Sequence, residues 1–273
     1  MPPDEDPFAA LTWFERFAFR VMRFWNQGAG ARVGYYWQRY FVVPLVGAVV
    51  SRRLTIVGLE KMKAIPRNAP ILLVANHRTF FDLFILGWIA WKRGDLEQSL
   101  NFPVRANFFY ESPLGLFVLL TMSGGTMFPP FFRAAEKKAF NRYSVDVVVE
   151  KMKTQGQLVG FHPEGTRSKT DDPYTLLPAQ PGAGIIALRA QTTVLPAFVN
   201  GLTNSMWGEI KENFRRGERR RVIVVLGDPI DISGYPADTR LSHHKRCADL
   251  FVEKITALGA EEKAARAALE AEA

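Results

Sequence analysis

The sequence is short of cysteine, of histidine and of unbroken apolar runs, and each shortage removes a class of protein. Cys247 is the one cysteine in 273 residues, so an internal disulfide, a multi-cysteine zinc site and an iron–sulfur cluster are excluded. A single thiol fits a reducing compartment, and its place in a late helical stretch suits packing. The four histidines include no His-x3-His pair, and no Gly-x-Ser-x-Gly elbow is present, which counts against zincin metalloenzymes and serine hydrolases. The start, Met1-Pro-Pro-Asp-Glu-Asp6, lacks the basic n-region of a secretory signal, so export is not expected.

Membrane spans are not expected either. The charge-free portion from Tyr40 to Val50 is about half of the ~20 residues that a spanning helix needs. Residues 113–132 are long enough, but Gly124-Gly125 and Pro129-Pro130 break them into a predicted helix, a turn and a buried strand.

What the chain does have is positive charge. A formal charge of +8 arises from 35 basic against 27 acidic side chains, with a pI near 9.7, which favours an anionic partner: nucleic acid, anionic lipid or a phosphorylated substrate. The basic residues are not interleaved with aromatics on a nucleic-acid motif, so nucleic acid is not the expected partner. The length fits one catalytic domain with an added helical element.

Residues 8–26 combine Phe8, Trp13, Phe14, Phe17, Phe19, Phe24 and Trp25 with a narrow polar stripe of Thr12, Arg16, Arg20 and Arg23. That pattern suits a helix lying in a membrane interface; the alternative is a helix packed on the core with a solvated arginine edge. A glycine-rich break is expected at 28–34. Residues 1–53 thus form a candidate membrane-associating helical segment. From residue 54 strand and helix patterns alternate: strands at 54–57, 71–75, 102–105, 126–128, 158–161, 194–198 and 222–226, with helices at 81–91, 114–122, 135–153 and 184–190 between them. Alternation of this kind predicts an α/β layer over residues 54–258, with a mixed, largely parallel sheet flanked by helices. Functional groups then belong at the carboxyl ends of the strands. Residues 259–273, rich in Ala, Glu, Lys and Arg, read as a solvated helical tail.

The first such group is His77, in Asn76-His-Arg-Thr-Phe-Phe-Asp82, where an apolar strand pattern gives way to a helix. Residues five apart on one helix point roughly 140° from each other. With His77 in the turn and Asp82 in the first helical turn, the pair can meet. A carboxylate accepting from one ring nitrogen leaves the other as a general base. The same residues also spell a capping box, Thr79-x-x-Asp82, in which Asp82 would serve the helix start alone.

The second group is Phe161-His-Pro-Glu-Gly-Thr-Arg-Ser168. Pro163 and Gly165 force a tight exposed turn carrying the Glu164 carboxylate, the Thr166 hydroxyl and the Arg167 guanidinium. Arg167 can hold a phosphate through its fork, and Gly165 lets the backbone approach closely. Glu164 can bind an acceptor hydroxyl or hold Arg167. A metal hydrolase built from His77, Asp82, His162 and Glu164 is allowed by residue type, but the neutral His–Asp pair needs no metal.

In this order and spacing, His77-x4-Asp82 and the Pro163-Glu-Gly-Thr-Arg-Ser168 run resemble the glycerolipid acyltransferase family typified by bacterial 1-acyl-glycerol-3-phosphate acyltransferase, over roughly residues 54–235. The resemblance implies the glycerolipid acyltransferase fold and direct acyl transfer from an acyl thioester, acyl-CoA or acyl carrier protein, to a glycerolipid hydroxyl. Lysophosphatidate is the default acceptor; glycerol 3-phosphate, another lysophospholipid and an aminolipid are alternatives. His77 and Asp82 are then catalytic, and Glu164, Gly165, Thr166 and Arg167 bind substrate. Arg133, closing Gly125-Thr-Met-Phe-Pro-Pro-Phe-Phe-Arg133, takes the place of a phosphate-binding arginine, and Pro196 lies near the site. The family's lysine before the next helix is replaced here by Ala179-Gln-Pro-Gly182. No resident cofactor or metal is implied. The enzyme is expected at the cytoplasmic face of an anionic membrane, peripheral or monotopic. The oxyanion donors are expected among backbone amides of the Glu164–Gly165 turn, the acyl tunnel along 114–122, and lipid or coenzyme phosphates at the arginines of 215–221.

Overall fold

The structure is a computed structural model that describes residues 6–96, 99–236 and 240–272; the acidic start at 1–5 lies outside the described residues. In chain order, the helices α1 (Trp13–Asn26), α2 (Gly28–Trp37) and α3 (Val43–Val50) precede β1 (Leu54–Val57), α4 (Leu59–Lys63), β2 (Ile71–Ala75) and α5 (Asp82–Lys92). Then come β3 (Ser99–Arg105), α6 (Pro113–Thr121), β4 (Met127–Phe131), α7 (Lys138–Met152) and β5 (Gln157–Phe161). The chain finishes with α8 (Gly182–Ala190), β6 (Thr193–Asn200), α9 (Met206–Phe214), β7 (Val222–Leu226) and α10 (Leu241–Ala271).

The fold is an α/β layer with a mostly parallel mixed sheet of order β1-β7-β6-β2-β5-β3-β4, in which β6 and β7 alone pair antiparallel. All five residues of β2 are buried, and their alternation feeds two cores. Ile71, Leu73 and Ala75 pack with α3 and α5, whereas Leu72 and Val74 pack with α8 and α10. Because β2 lies between β5 and β6, the two motif-bearing turns after β2 and β5 leave the same edge side by side.

Three expectations change. The glycine-rich stretch 28–34 is not a break but the body of α2, because Gly30 and Gly34 lie against the α1 backbone at Phe24 and Trp25 where a Cβ would collide. The tail from residue 259 is helical and largely exposed as expected, but it continues α10 without interruption and is anchored at two points. Gly259 packs on Phe198, and the fully buried Glu262 accepts from Tyr174 and Arg266. Between β6 and β7, where no helix is expected, α9 starts at the Ser205 cap and buries Glu209 against Arg53 and Arg220. Part of the basic cluster at 215–221 is thereby committed to ion pairs within the protein.

The segment α1 packs one face on the core and leaves aromatic side chains exposed on the other. A Thr12–Glu15 capping box opens it, and Phe19 and Met22 are buried, while Trp13, Phe17 and Phe24 face outward. No described helix is long and apolar enough to cross a membrane.

Candidate active site

The site begins with Asn76, buried at the end of β2. Its amide exchanges two hydrogen bonds with the main chain of Val199 on β6, at 2.9 and 2.8 Å, which pins the strand end before the chain turns. His77 follows in the turn and Asp82 opens α5. The Asp82 carboxylate accepts from the N–H groups of Arg78 and Thr79, both at 2.8 Å, and from the Thr79 hydroxyl. His77 Nδ1 lies 3.4 Å from Asp82 Oδ2, with the imidazole 22% exposed and the carboxylate 1%. That separation is long for a finished hydrogen bond, as is common in sites without substrate. The two sequence readings therefore coexist, since the carboxylate that organises the helix start also backs the imidazole.

The β5 turn grips His77 at three points. Glu164 Oε1 accepts the His77 N–H at 2.7 Å, Ser168 N–H donates to the His77 carbonyl at 2.9 Å, and the His162 ring stacks on the His77 ring. The other Glu164 oxygen accepts the Leu177 N–H at 2.7 Å. Glu164 thus ties the two turns together through backbone N–H groups, and each of its oxygens keeps a second lone pair. Both oxygens are engaged by backbone, and burial raises its pKa while those bonds oppose the rise. Gly165 takes a positive φ of 66°, the left-handed conformation that favours glycine. Its N–H bonds the His162 carbonyl at 2.9 Å, so this amide is not available as an oxyanion donor. Thr166 is half-buried in the same turn.

Arg167 is exposed and donates to Asn204 at 3.0 Å, and Asn204 also accepts the Phe80 N–H. Sequence reasoning missed Arg105. It ends β3 beside the end of β4, donates to the Gly165 carbonyl at 2.8 Å, and feels the charges of both Arg133 and Arg167. Burial first, then those two guanidinium groups, hold its pKa below the usual value. A basic residue at the carboxyl end of a predicted strand was the available signal. Arg105, Arg133 and Arg167 thus form one group of like charges at the turn, an arrangement that an anion relieves.

An apolar groove starts at Phe80 and Phe81, within the His77–Asp82 segment, and runs past Phe84 and Ile85 to Val46 and Val49, with Met122 and Met206 at its sides. Of the stretch 114–122 only Met122 lines it. His77, Asp82 and His162 offer ligand atoms within 4.8 Å of one another. The two rings are stacked nearly parallel, and Asp82 also accepts from the backbone of Arg78 and Thr79.

An imidazole backed by a buried carboxylate, held between two turns at the carboxyl ends of parallel strands, defines the candidate site of an α/β enzyme. A family model described as Acyltransferase matches residues 53–200, more than half of the chain, and the protein belongs to that family and is an acyltransferase. It is similar to a 1-acyl-sn-glycerol-3-phosphate acyltransferase of Haemophilus influenzae, 25% identical over 243 residues that cover 89% of this chain and 88% of that protein. A 1-acyl-sn-glycerol-3-phosphate acyltransferase of Saccharomyces cerevisiae is 25% identical over 204 residues, covering 75% of this chain and 60% of the yeast protein. The crystal structure of a 1-acyl-sn-glycerophosphate acyltransferase from Thermotoga maritima aligns over 91% of this chain and 95% of that one, at 15% identity and a TM-score of 0.49.

Proposed function

We propose that the protein transfers a fatty acyl group from an acyl thioester to the free hydroxyl of lysophosphatidate, giving phosphatidate. The observation that carries this reading is the grouping of Arg105 with Arg133 and Arg167, Arg105 bonding the Gly165 carbonyl in the turn that holds His77. A phosphate held by the three guanidinium groups sets the neighbouring glycerol hydroxyl at the imidazole, and the apolar groove receives a fatty chain. The names of the relatives support the same acceptor.

In the reaction, His77 Nε2 takes the proton of the acceptor hydroxyl while Nδ1–H points to Asp82, which balances the imidazolium. The hydroxyl oxygen bonds to the thioester carbonyl carbon, the tetrahedral intermediate collapses with cleavage of the C–S bond, and the thiolate recovers the proton from His77. A thioester has a good leaving group, so no enzyme nucleophile is needed. The donor, acyl-CoA or acyl carrier protein, supplies the same chemistry. The enzyme works as a peripheral protein at the cytoplasmic, anionic membrane surface, with the outward aromatics of α1 and α2 seated among the headgroups.

The test is a crossed panel. Purified protein is assayed with lysophosphatidate, glycerol 3-phosphate, lysophosphatidylethanolamine and a lyso-aminolipid, each against acyl-CoA and acyl carrier protein. The highest kcat/KM is expected with lysophosphatidate; a preference for an acceptor lacking a phosphate monoester refutes the reading.

A further inference from the structure

The β5 turn follows a strand in register with β2, with Val74 opposite Phe161. His162 is therefore one residue past the strand, next to Ala75, and two residues from the emerging His77. Its ring lies on the His77 ring at a centroid distance of 3.8 Å with 5° between the planes. Its Nδ1 is 3.0 Å from the Ala75 carbonyl oxygen. A carbonyl only accepts, so the proton sits on Nδ1 and Nε2 carries the lone pair.

We propose that His162 is a positioning residue for acyl transfer: its ring fixes the plane of the His77 imidazole and presents a neutral π face to the imidazolium that His77 becomes on taking the acceptor's proton. The inference rests on the reading of His77 as the base. It follows from differential binding. A neutral ring over a neutral ring gains little, but the same ring over a cation gains an electrostatic attraction that exists only once the proton has moved. The hydrogen bond to Ala75 strengthens the effect, because a donated proton leaves the ring richer in electron density. Neutrality is kept by the surroundings. Burial, and then the His77 charge, push the His162 pKa down to about 3, against the opposing pull of Asp82 and the carbonyls of Ala75 and Asn76. His162 therefore does not compete for the proton that His77 receives. Since Glu164 and Ser168 hold the His77 backbone from the same turn, ring and main chain of the base are positioned by one element.

The experiment compares His162→Phe, His162→Leu and His162→Ala with His77→Ala in the full-length protein, using lysophosphatidate and a saturated acyl-CoA. Phenylalanine keeps a neutral π face, leucine keeps volume without one, and alanine keeps neither. His162→Phe is expected to retain kcat within about threefold, while leucine and alanine lower kcat about tenfold with both KM values little changed. If leucine restores kcat as well as phenylalanine does, or if all three match the wild type, the π-face role is wrong and the stack is only packing. An active His77→Ala protein is a different result, which removes the base assignment itself. Where the alanine variant fails to fold, the Phe and Leu pair still decides the matter. Long-range 1H–15N spectra provide a check independent of turnover: His162 should show a proton on Nδ1 alone from pH 5 to 8, and an imidazolium pattern in that range overturns the proposal.

Discussion

Glu164 and His77, 87 residues apart in sequence, are joined by a 2.7 Å hydrogen bond from the histidine N–H to a buried carboxylate oxygen. The bond ties the turn after β2 to the turn after β5, and the second carboxylate oxygen extends the tie to Leu177. Glu164→Gln can accept from only one of the two N–H groups, because its NH2 meets the other as donor against donor. A stability loss of about 1–3 kcal/mol is expected for the unsatisfied buried group, read by urea unfolding, together with a fall in kcat as His77 loses its anchor. Unchanged stability would show that the bond is dispensable.

His77→Ala should abolish acyl transfer while leaving thermal stability near wild type, since the imidazole is partly exposed and bears no core load. General-base loss alone is worth about 10²–10⁴ in rate. Asp82→Asn should differ, lowering both kcat and Tm, because its carboxylate also accepts from Arg78 and Thr79 at the start of α5. Initial rates and calorimetry on the two variants separate these effects.

Acid stability carries the mark of His162. Its folded pKa of about 3 lies below the ordinary 6.5, so the unfolded chain binds the proton more readily. The stability tied to a neutral His162 is complete above about pH 6.5 and is lost as pH falls toward 3. The difference in Tm between pH 7.5 and pH 5 should therefore shrink in His162→Phe. An equal drop in both proteins would assign the acid lability to other groups.

The arginine cluster makes a salt-sensitive prediction. Arg105→Ala and Arg167→Ala should each raise KM for lysophosphatidate by about 10- to 100-fold, the worth of a charge-assisted bond. KM for the thioester should move less. Rising ionic strength should weaken acceptor binding in the wild type more than in either variant. Equal effects on both substrates would place the phosphate elsewhere.

Removing residues 1–50 would strip Phe19, Met22 and Val50 from the core, so membrane docking is better probed at the surface. Trp13 is 78% exposed, with Phe17 and Phe24 on the same helix also exposed. Replacing all three by serine should lower co-sedimentation with anionic liposomes by at least about tenfold, with the fold intact by circular dichroism. Full retention on liposomes would put the docking surface on another element.

Much of this protein was legible before folding is considered. Period-two and continuous apolar runs marked all seven strands of the sheet, most plainly β2 and β7, which are buried along their whole length. His77-x4-Asp82 was readable as a pair because only a turn followed by a helix lets residues at that spacing meet. The helix α9 was not legible. It buries Glu209 between Arg53 and Arg220, partners whose proximity no local pattern encodes. The same holds for Gly30 and Gly34, which mimic a flexible linker until α1 is packed on them.

By itself the sequence determined the chemistry on offer: a base with its carboxylate, a glycine turn with an arginine, an alternating α/β chain and an excess of positive charge. Tertiary structure decided what each group does. It joined Glu164 to the His77 main chain, brought Arg105 to Arg133 and Arg167, and laid His162 on the His77 ring. The physical reason is that hydrogen bonds, stacking and charge act over a few ångströms, and the sheet order β6-β2-β5-β3-β4 makes neighbours of strand ends that are far apart in the chain.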